Sequence, residues 1–144
     1  MAGTYTQIYI QVILVVKQRK KLIDKSWREE LNKYISGIIT GKNQKPFIVN
    51  GVSDHIHCLI GIKPTIVISD LVRDIKNNSA KFINEQGYIK ERFQWQAGYS
   101  AFSYSKSSIN FVYKYILNQE AHHEKKTLEK EYTDLLKEFD IDYD

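Results

Sequence analysis

Of the features that mark secreted or membrane proteins, this 144-residue sequence has almost none. Its single cysteine, Cys58, cannot form an internal disulfide, which predicts a reducing environment. The first residues show no basic stretch followed by an apolar segment and a cleavage site, so we predict no secretory signal. The longest apolar run, Ile8 to Val16, is interrupted by Gln11 and is far too short to span a bilayer. We therefore expect a cytoplasmic protein without membrane association.

The chain is also too short for two independent hydrophobic cores, and it contains neither an internal repeat nor a low-complexity segment. Its hydrophobic and charged fractions, 42% and 26%, are typical of a globular protein. We predict one domain over residues 1–144, made of a core over 1–104, a helical segment over 105–123 and an acidic helix and tail over 124–144.

Acidic residues are concentrated at the C-terminal end of the chain. Residues 1–123 contain 17 basic and nine acidic side chains, a net charge of +8, whereas residues 124–144 contain four and eight, a net charge of −4. A basic body with ten Tyr, six Phe and two Trp suits a polyanion that also offers flat faces for stacking. Because most surface lysines contact only water, charge supports this interpretation without deciding it.

Apolar patterning divides the chain into eight elements. Runs of β-branched and aromatic residues predict strands, and apolar residues at helical spacing after capping residues predict helices. The strands are Tyr5–Val16, Pro46–Val52, His55–Ile62 and Gly98–Tyr104; the helices are about Trp27–Ile39, Asp70–Asn84, Ser107–Ala121 and Lys125–Phe139. The first six elements follow the order βαββαβ, which predicts an α+β, ferredoxin-like fold: an antiparallel sheet with two helices on one face, followed by C-terminal helices. This fold alone implies no function.

Two histidines alternate with apolar residues in the stretch DHIHCLI. Side chains two positions apart on a strand share a face, so His55 and His57 lie side by side while Ile56 and Cys58 point the other way. Two neutral imidazoles form half of a metal site. For an isolated pair of this kind, however, two polar residues on an open sheet face are the commoner arrangement. We expect Asp54 to shape the hairpin turn, with support of a histidine as the lesser alternative.

A tyrosine and a glutamine are separated by one helical turn in the stretch YKYILNQ. Tyr115 and Gln119, at i and i+4, lie on one helix face, and Tyr113 is rotated away from it. A phenol beside a metal-capable amide oxygen is suited to phosphoryl transfer, in which the phenol attacks phosphorus and a nearby cation polarises the phosphate. Considered alone, the pattern favours the simpler interpretation, an amphipathic helix with an interfacial tyrosine.

In this order and spacing, the two motifs resemble those of the single-tyrosine HUH transposases of bacterial insertion sequences, including relatives associated with repetitive extragenic palindromes. In that family a His-hydrophobic-His pair lies on a central strand, and the nucleophilic Tyr lies on a later helix, four residues before a Gln. His55-Ile56-His57 and Tyr115 with Gln119 match both motifs. The stretches DHIHCLIGIKP, ISDLVRDIKNNSAKF, FQWQAGYSAFSYSKS and VYKYILNQEAHH also look like the family's connecting sequence, so the resemblance covers about Tyr5 to Thr127.

The resemblance implies a metal-dependent DNA transposase. His55, His57 and Gln119 would bind one divalent cation, Mg²⁺ or Mn²⁺, which would act as a Lewis acid on the scissile phosphate. Tyr115 would attack, forming a 5′-phosphotyrosine link and releasing a 3′-OH that later attacks the same link to rejoin strands. A free tyrosine has a pKa of about 10, so proximity to the cation must supply part of its activation.

The resemblance also implies single-stranded DNA with a hairpin near the element end as substrate, and a homodimer whose tyrosine helix can complete the partner's histidine site. Basic side chains predicted as individually weak phosphate contacts are Lys17, Arg19, Lys20, Lys21, Lys76, Lys81 and Arg92. The last helix has one apolar side, which predicts packing against the body or a dimer partner, and we expect the acidic segment to face away from DNA.

Three alternatives share parts of this pattern. A non-catalytic nucleic-acid-binding module can have the same βαββαβ order, but it needs exposed aromatic residues on central strands, where this sequence has His55 and His57. A domesticated relative that cleaves host palindromes would use identical chemistry. A relaxase or replication-initiator nuclease shares the histidine pair, but it usually places the tyrosine differently and carries extra domains, for which 144 residues leave no room.

Overall fold

The four apolar, β-branched segments form one antiparallel sheet. In this computed structural model, which describes residues 3–123 and 126–141, the strands are β1 (Ile8–Val15), β2 (Lys45–Val52), β3 (His55–Ile62) and β4 (Ser100–Tyr104). The helices are α1 (Lys25–Gly41), α2 (Ile68–Gln86), α3 (Ile109–Leu117), α4 (Gln119–His123) and α5 (Leu128–Glu138), with single 3₁₀ turns at Lys17–Arg19 and Lys106–Ser108. The order of elements over β1 to β4 is the predicted one.

The strands lie in the order β2-β3-β1-β4, so β1 and β3 are the central pair. This order, with the predicted βαββαβ connection, confirms the α+β, ferredoxin-like fold class. The register places Ile13 of β1 opposite His57 of β3 and Val15 opposite His55. Because directly paired residues share a face, both histidines lie on the same side of the sheet as Gln11, two positions before Ile13.

The other side of the sheet forms the main hydrophobic core with α1 and α2. From α1 it receives a stripe of side chains at four-residue spacing: Trp27, Leu31, Ile35 and Ile39. Asp24 caps this helix, since its carboxylate accepts a hydrogen bond of 3.0 Å from the Ser26 amide. Full burial of an aliphatic side chain of this size stabilises the fold by about 1.5–3 kcal/mol, so this face carries most of the stability.

The histidine-bearing side is covered by the C-terminal helices instead. Leu59 of β3 packs in a small cluster with Val112 and Ile116 of α3. Phe139, which ends α5, lies with its ring centroid 4.9 Å from that of Phe102 on β4. The last helix therefore packs against the body of its own chain, one of the two arrangements predicted from its apolar side.

One predicted helix is interrupted. The segment predicted as a single helix over Ser107–Ala121 is two helices, because Asn118 leaves helical geometry at φ −98° and ψ 27°. Its side-chain amide donates to the Lys114 carbonyl at 2.9 Å, in addition to the helical bond of 3.1 Å from the Asn118 backbone amide to the same carbonyl. Among the described residues, no helix combines the length and apolar character needed to cross a membrane.

Candidate active site

The two predicted motifs meet inside one chain. His55 and His57 are fully buried, with ring centroids 5.1 Å apart. The Tyr115 ring of α3 lies edge-on to His57, with centroids 6.2 Å apart. Gln119 is also fully buried, and its side-chain nitrogen donates to the Tyr115 backbone carbonyl at 3.4 Å. The structure thus brings together the four side chains that the sequence placed on a strand and on a distant helix.

Hydrogen bonds behind the imidazoles fix their orientation. The Nδ1 atom of His55 lies 2.7 Å from Asp54 Oδ1, and the Nδ1 atom of His57 lies 2.6 Å from Gln11 Oε1. Gln11 in turn donates from Nε2 to the Tyr104 hydroxyl at 2.7 Å, which turns its oxygen toward His57. With both Nδ1 atoms donating outward, both Nε2 atoms face the centre of the site.

A carboxylate that the sequence analysis did not select lies at that centre. Glu131 of α5 is 1% exposed, and its Oε1 lies 2.8 Å from His57 Nε2 and 3.6 Å from His55 Nε2. Its Oε2 accepts a hydrogen bond of 2.7 Å from the Tyr115 hydroxyl. Glu131 belongs to the acidic C-terminal segment, so part of that segment reaches the candidate site.

Burial and the carboxylates determine the protonation of the site. Burial raises the pKa of Tyr115 well above its ordinary value, and the hydrogen bond to Glu131 raises it further, so the phenol is protonated here. Burial opposes charging of His55, but its contacts with Asp54 and Glu131 outweigh this and raise its pKa.

The donor set suits a divalent cation. His55 and His57 each offer an imidazole nitrogen, and Glu131 offers a carboxylate oxygen. These three ligand atoms all lie within 4.8 Å of one another. The buried Oε1 of Gln119 has no hydrogen-bond partner within the described residues, and an amide oxygen is a further suitable ligand. Imidazole nitrogens combined with oxygen ligands suit Mn²⁺ or Mg²⁺.

A cavity of about 340 Å³ connects this cluster with the surface. Gln11, Tyr115 and Glu131 line it, together with Lys126 and Asp134 of the last segment. Lys126 Nζ lies 2.6 Å from Asp134 Oδ2, so the ion pair neutralises part of the negative charge at the entrance. Tyr115 and Glu131 are therefore accessible to a ligand that enters this cavity.

The predicted phosphate contacts fall into two groups. Four of them, Lys17, Lys76, Lys81 and Arg92, line a separate cavity of about 710 Å³ between α2 and the connection to β4. The Lys76 ammonium already donates to the carbonyls of Gln96 and Gly98, at 2.7 and 2.9 Å.

The other three predicted contacts lie on the segment that follows β1. Arg19 and Lys20 form ion pairs of 2.8 and 2.9 Å with Glu129 and Glu91, respectively. Lys21 is exposed and lines a further cavity. The four predicted contacts around the 710 Å³ cavity therefore share one surface. Of the other three, Arg19 and Lys20 are paired with carboxylates.

Two functional candidates carried a detectable signal in the sequence. Glu131 lies three residues after Leu128 and four before Leu135, so it occupies the apolar side of its helix. Gln11 is the polar residue that interrupts the apolar first strand, at even spacing from Ile13. In both cases a polar residue on a buried face indicated a site.

Comparison with known proteins is consistent with this arrangement. The sequence model of the family described as "Transposase IS200 like" matches residues 4–119. A crystal structure from Deinococcus radiodurans R1, of a protein assigned as a transposase, is 22% identical, covers 83% of this chain and 95% of its own, and has a TM-score of 0.68. A REP-associated tyrosine transposase bound to a REP hairpin is 15% identical, covers 85% and 73%, and has a TM-score of 0.62. A search of curated proteins gives no significant match.

Proposed function

Since the chain belongs to the IS200-like transposase family, it is a DNA transposase, and we propose that it cleaves and rejoins single-stranded DNA at insertion-element ends through Tyr115. The observation that carries this proposal is the position of the Tyr115 phenol beside the buried pair His55 and His57 within one chain. In this proposal Tyr115 would be the nucleophile and the histidines would be cation ligands beside it, the combination that phosphoryl transfer uses.

In the proposed reaction, the Tyr115 oxygen attacks the scissile phosphorus. The phenol loses its proton as the new oxygen–phosphorus bond forms, and the bond from phosphorus to the 3′ oxygen breaks. The strand downstream of the break stays attached to Tyr115 through its 5′ phosphate, and the upstream strand leaves with a 3′ oxygen that takes up a proton to become a hydroxyl. The reverse attack by a 3′-OH restores a phosphodiester and frees the phenol. Because each step exchanges one phosphate ester for another, no nucleotide is hydrolysed.

The residues around the phenol have separate tasks in this proposal. His55, His57 and Gln119 would hold the divalent cation, Mg²⁺ or Mn²⁺. The bound cation would supply Lewis-acid chemistry, withdrawing charge from the phosphate and favouring the ionised phenol. Asp54 and Gln11 would hold the imidazoles in place through their Nδ1 atoms. In the structure the pKa of Tyr115 is raised, which fits a nucleophile that stays inactive until the cation is bound.

We further propose that the substrate strand carries a hairpin near the element end. The REP-associated relative is bound to such a hairpin, and its fold is similar to this one. Lys17, Lys81 and Arg92 are exposed and line the same cavity. Three positive side chains on one surface are suited to contact with DNA phosphates. The resemblance also supports a homodimer. A domesticated enzyme that cleaves host palindromes would use the same site.

The test is covalent capture of DNA. The protein is incubated with single-stranded candidate element ends and Mn²⁺ or Mg²⁺, and a protein–DNA adduct is sought on a denaturing gel. Tyr115→Phe should abolish the adduct, while fluorescence anisotropy should show DNA binding within about twofold of wild type. His57→Ala should remove the metal-stimulated adduct as well.

Tyr113→Phe provides the matched control, because Tyr113 lies two residues earlier on the same helix and is 39% exposed. It should form the adduct at the wild-type level. Persistence of the adduct in Tyr115→Phe, or its loss in Tyr113→Phe alone, would show that the nucleophile is misassigned.

A further inference from the structure

Glu131 extends the site beyond the part of the chain that the family match covers. That match ends at residue 119, and Glu131 lies in the helix after it. We propose that Glu131 is a protein ligand of the divalent cation, beside His55 and His57. This inference rests on the proposed function and assigns one more residue to the same site.

The distances between the ligand atoms fit one coordination sphere. Neighbouring ligands of an octahedral Mg²⁺ at about 2.1 Å from the metal are about 3 Å apart. Glu131 Oε1 lies 2.8 Å from His57 Nε2 and 3.6 Å from His55 Nε2, on either side of that value. A small adjustment of the His55 distance would therefore place all three atoms around one ion.

The orientation of the imidazoles directs both outer nitrogens at the carboxylate. Asp54 and Gln11 contact the Nδ1 atoms, so the Nε2 atoms of both rings face Glu131 Oε1. All three side chains are buried, and a divalent cation at this point would take these three atoms as ligands.

Charge gives a second reason. His55, His57 and Gln119 are neutral ligands, and Mg²⁺ sites in proteins usually include one or two carboxylates. Glu131 supplies that carboxylate and leaves the bound cation with net positive charge to attract a phosphate. Its other oxygen, Oε2, accepts from the Tyr115 hydroxyl at 2.7 Å, so the same side chain would position the nucleophile next to the metal.

The backbone holds Glu131 in this position. Thr127 caps α5 through a hydrogen bond of 3.2 Å from the Lys130 amide. Leu128 is buried one turn before Glu131, and Phe139 packs against Phe102 at the far end of the helix. Because both ends are anchored, the carboxylate is directed into the site by the fold itself.

Metal affinity without DNA tests the assignment directly. The free Mn²⁺ signal in electron paramagnetic resonance is titrated with wild type, Glu131→Gln and Glu129→Gln. Glu131→Gln keeps the size of the side chain and an acceptor for Tyr115 but loses the charge, and its Kd for Mn²⁺ should rise at least 10-fold. Glu129 lies on the same helix with 73% of its side chain exposed, so Glu129→Gln should bind within about twofold of wild type.

A second variant tests the position rather than the charge. In Glu131→Cys a thiolate would stand where the carboxylate was, and Cd²⁺ should produce a thiolate charge-transfer absorption. Wild type should show no such band, because Cys58 is buried on the opposite face of the sheet and burial raises its pKa to about 12. Absence of the band in folded Glu131→Cys would overturn the assignment.

The remaining outcomes separate this inference from the proposed function. Unchanged Mn²⁺ affinity in Glu131→Gln would mean that the carboxylate is not a metal ligand. Tighter Mn²⁺ binding together with more DNA adduct in Glu131→Gln would mean that the carboxylate instead obstructs the metal site. Wild type that binds Mn²⁺ through Glu131 but forms no adduct would contradict the proposed function and leave the ligand assignment standing. If wild type forms a metal-dependent adduct but Glu131→Gln binds Mn²⁺ as tightly as wild type, the proposed function stands and the ligand assignment of Glu131 is wrong.

Discussion

Gln11 is a buried polar residue, and both ends of its side-chain amide are hydrogen-bonded. Its oxygen accepts from His57 Nδ1 at 2.6 Å, and its nitrogen donates to the Tyr104 hydroxyl at 2.7 Å. Because an amide has one acceptor end and one donor end, the tyrosine fixes which end faces the histidine. The histidine tautomer thus depends on a residue of another strand.

Replacement of Gln11 by leucine should weaken the cation site without removing a ligand. Leucine retains the approximate volume but cannot accept from Nδ1, so His57 loses its orientation and part of its basicity. We expect the Kd for Mn²⁺ to rise about 10- to 100-fold, as for other residues that support a metal ligand. The Mn²⁺ titration followed by electron paramagnetic resonance measures this Kd, and circular dichroism checks that the variant is folded. Wild-type affinity in Gln11→Leu would show that His57 is oriented by other contacts.

For individual residues, the sequence predicted the four motif side chains better than it predicted the residues that contact them. His55, His57, Tyr115 and Gln119 could be identified because their spacing on a strand and a helix defines a shared face. Glu131 could not be singled out among eight acidic residues by charge. Its place on the apolar side of α5 was a local signal of burial, but its position beside the histidines depends on how α5 docks on the sheet, which is a tertiary contact.

Among the secondary-structure elements, the β2–β3 hairpin has the least tolerance for change. Gly51 of β2 pairs with Ile56 and lies close to the histidine strand. A Cβ atom at this position would lie 2.1 Å from the His55 backbone oxygen and 2.8 Å from the Ile56 Cα. Since both of these are backbone atoms, the strands would have to separate to accept any side chain.

Gly51→Ala should therefore lower the free energy of unfolding by about 1–3 kcal/mol, the range for overpacked sites, and displace His55. Chemical denaturation followed by circular dichroism measures the change. Gly37→Ala is the control, because Gly37 is within α1 and a Cβ there meets nothing within 4 Å. Alanine should raise stability at that position by about 0.5–1 kcal/mol. Equal effects of the two substitutions would contradict the close packing at Gly51.

The helices show where sequence patterns stop being informative. Apolar spacing predicted α1 and α2 because one side of each faces a continuous core. The same spacing ran through Asn118, where the chain instead breaks into α3 and α4. At the break, the carbonyls of Ile116 and Leu117 accept hydrogen bonds from the side chain of Asn50 on β2 instead of from backbone amides further along a continuous helix. This tertiary contact is not encoded by apolar spacing.

Over the whole molecule, the main hydrophobic core and the candidate active site lie on opposite sides of the sheet. One side packs against α1 and α2 and contains the main core, while the other carries His55 and His57 under the C-terminal helices. The acidic segment is part of this second layer through Glu131. The basic body and the acidic C-terminal end therefore meet at the candidate active site, a conclusion that net charge alone could not give.

The arrangement within one chain makes a prediction about any homodimer. Tyr115 contacts His57 of its own chain, so each subunit should contain a complete site even if two subunits associate. A mixture of Tyr115→Phe and His57→Ala chains should then form no DNA adduct, because one chain lacks the phenol and the other lacks an intact metal site.

Complementation distinguishes this from a shared site. If the tyrosine helix served the partner, a mixed dimer would combine the phenol of the His57→Ala chain with the intact histidines of the Tyr115→Phe chain, and an adduct would appear on the former. The two variants are co-expressed with tags of different size, so that mixed dimers can be isolated before DNA and Mn²⁺ are added. A labelled band on the His57→Ala chain would mean that the contact between Tyr115 and its own His57 is not the one used in catalysis.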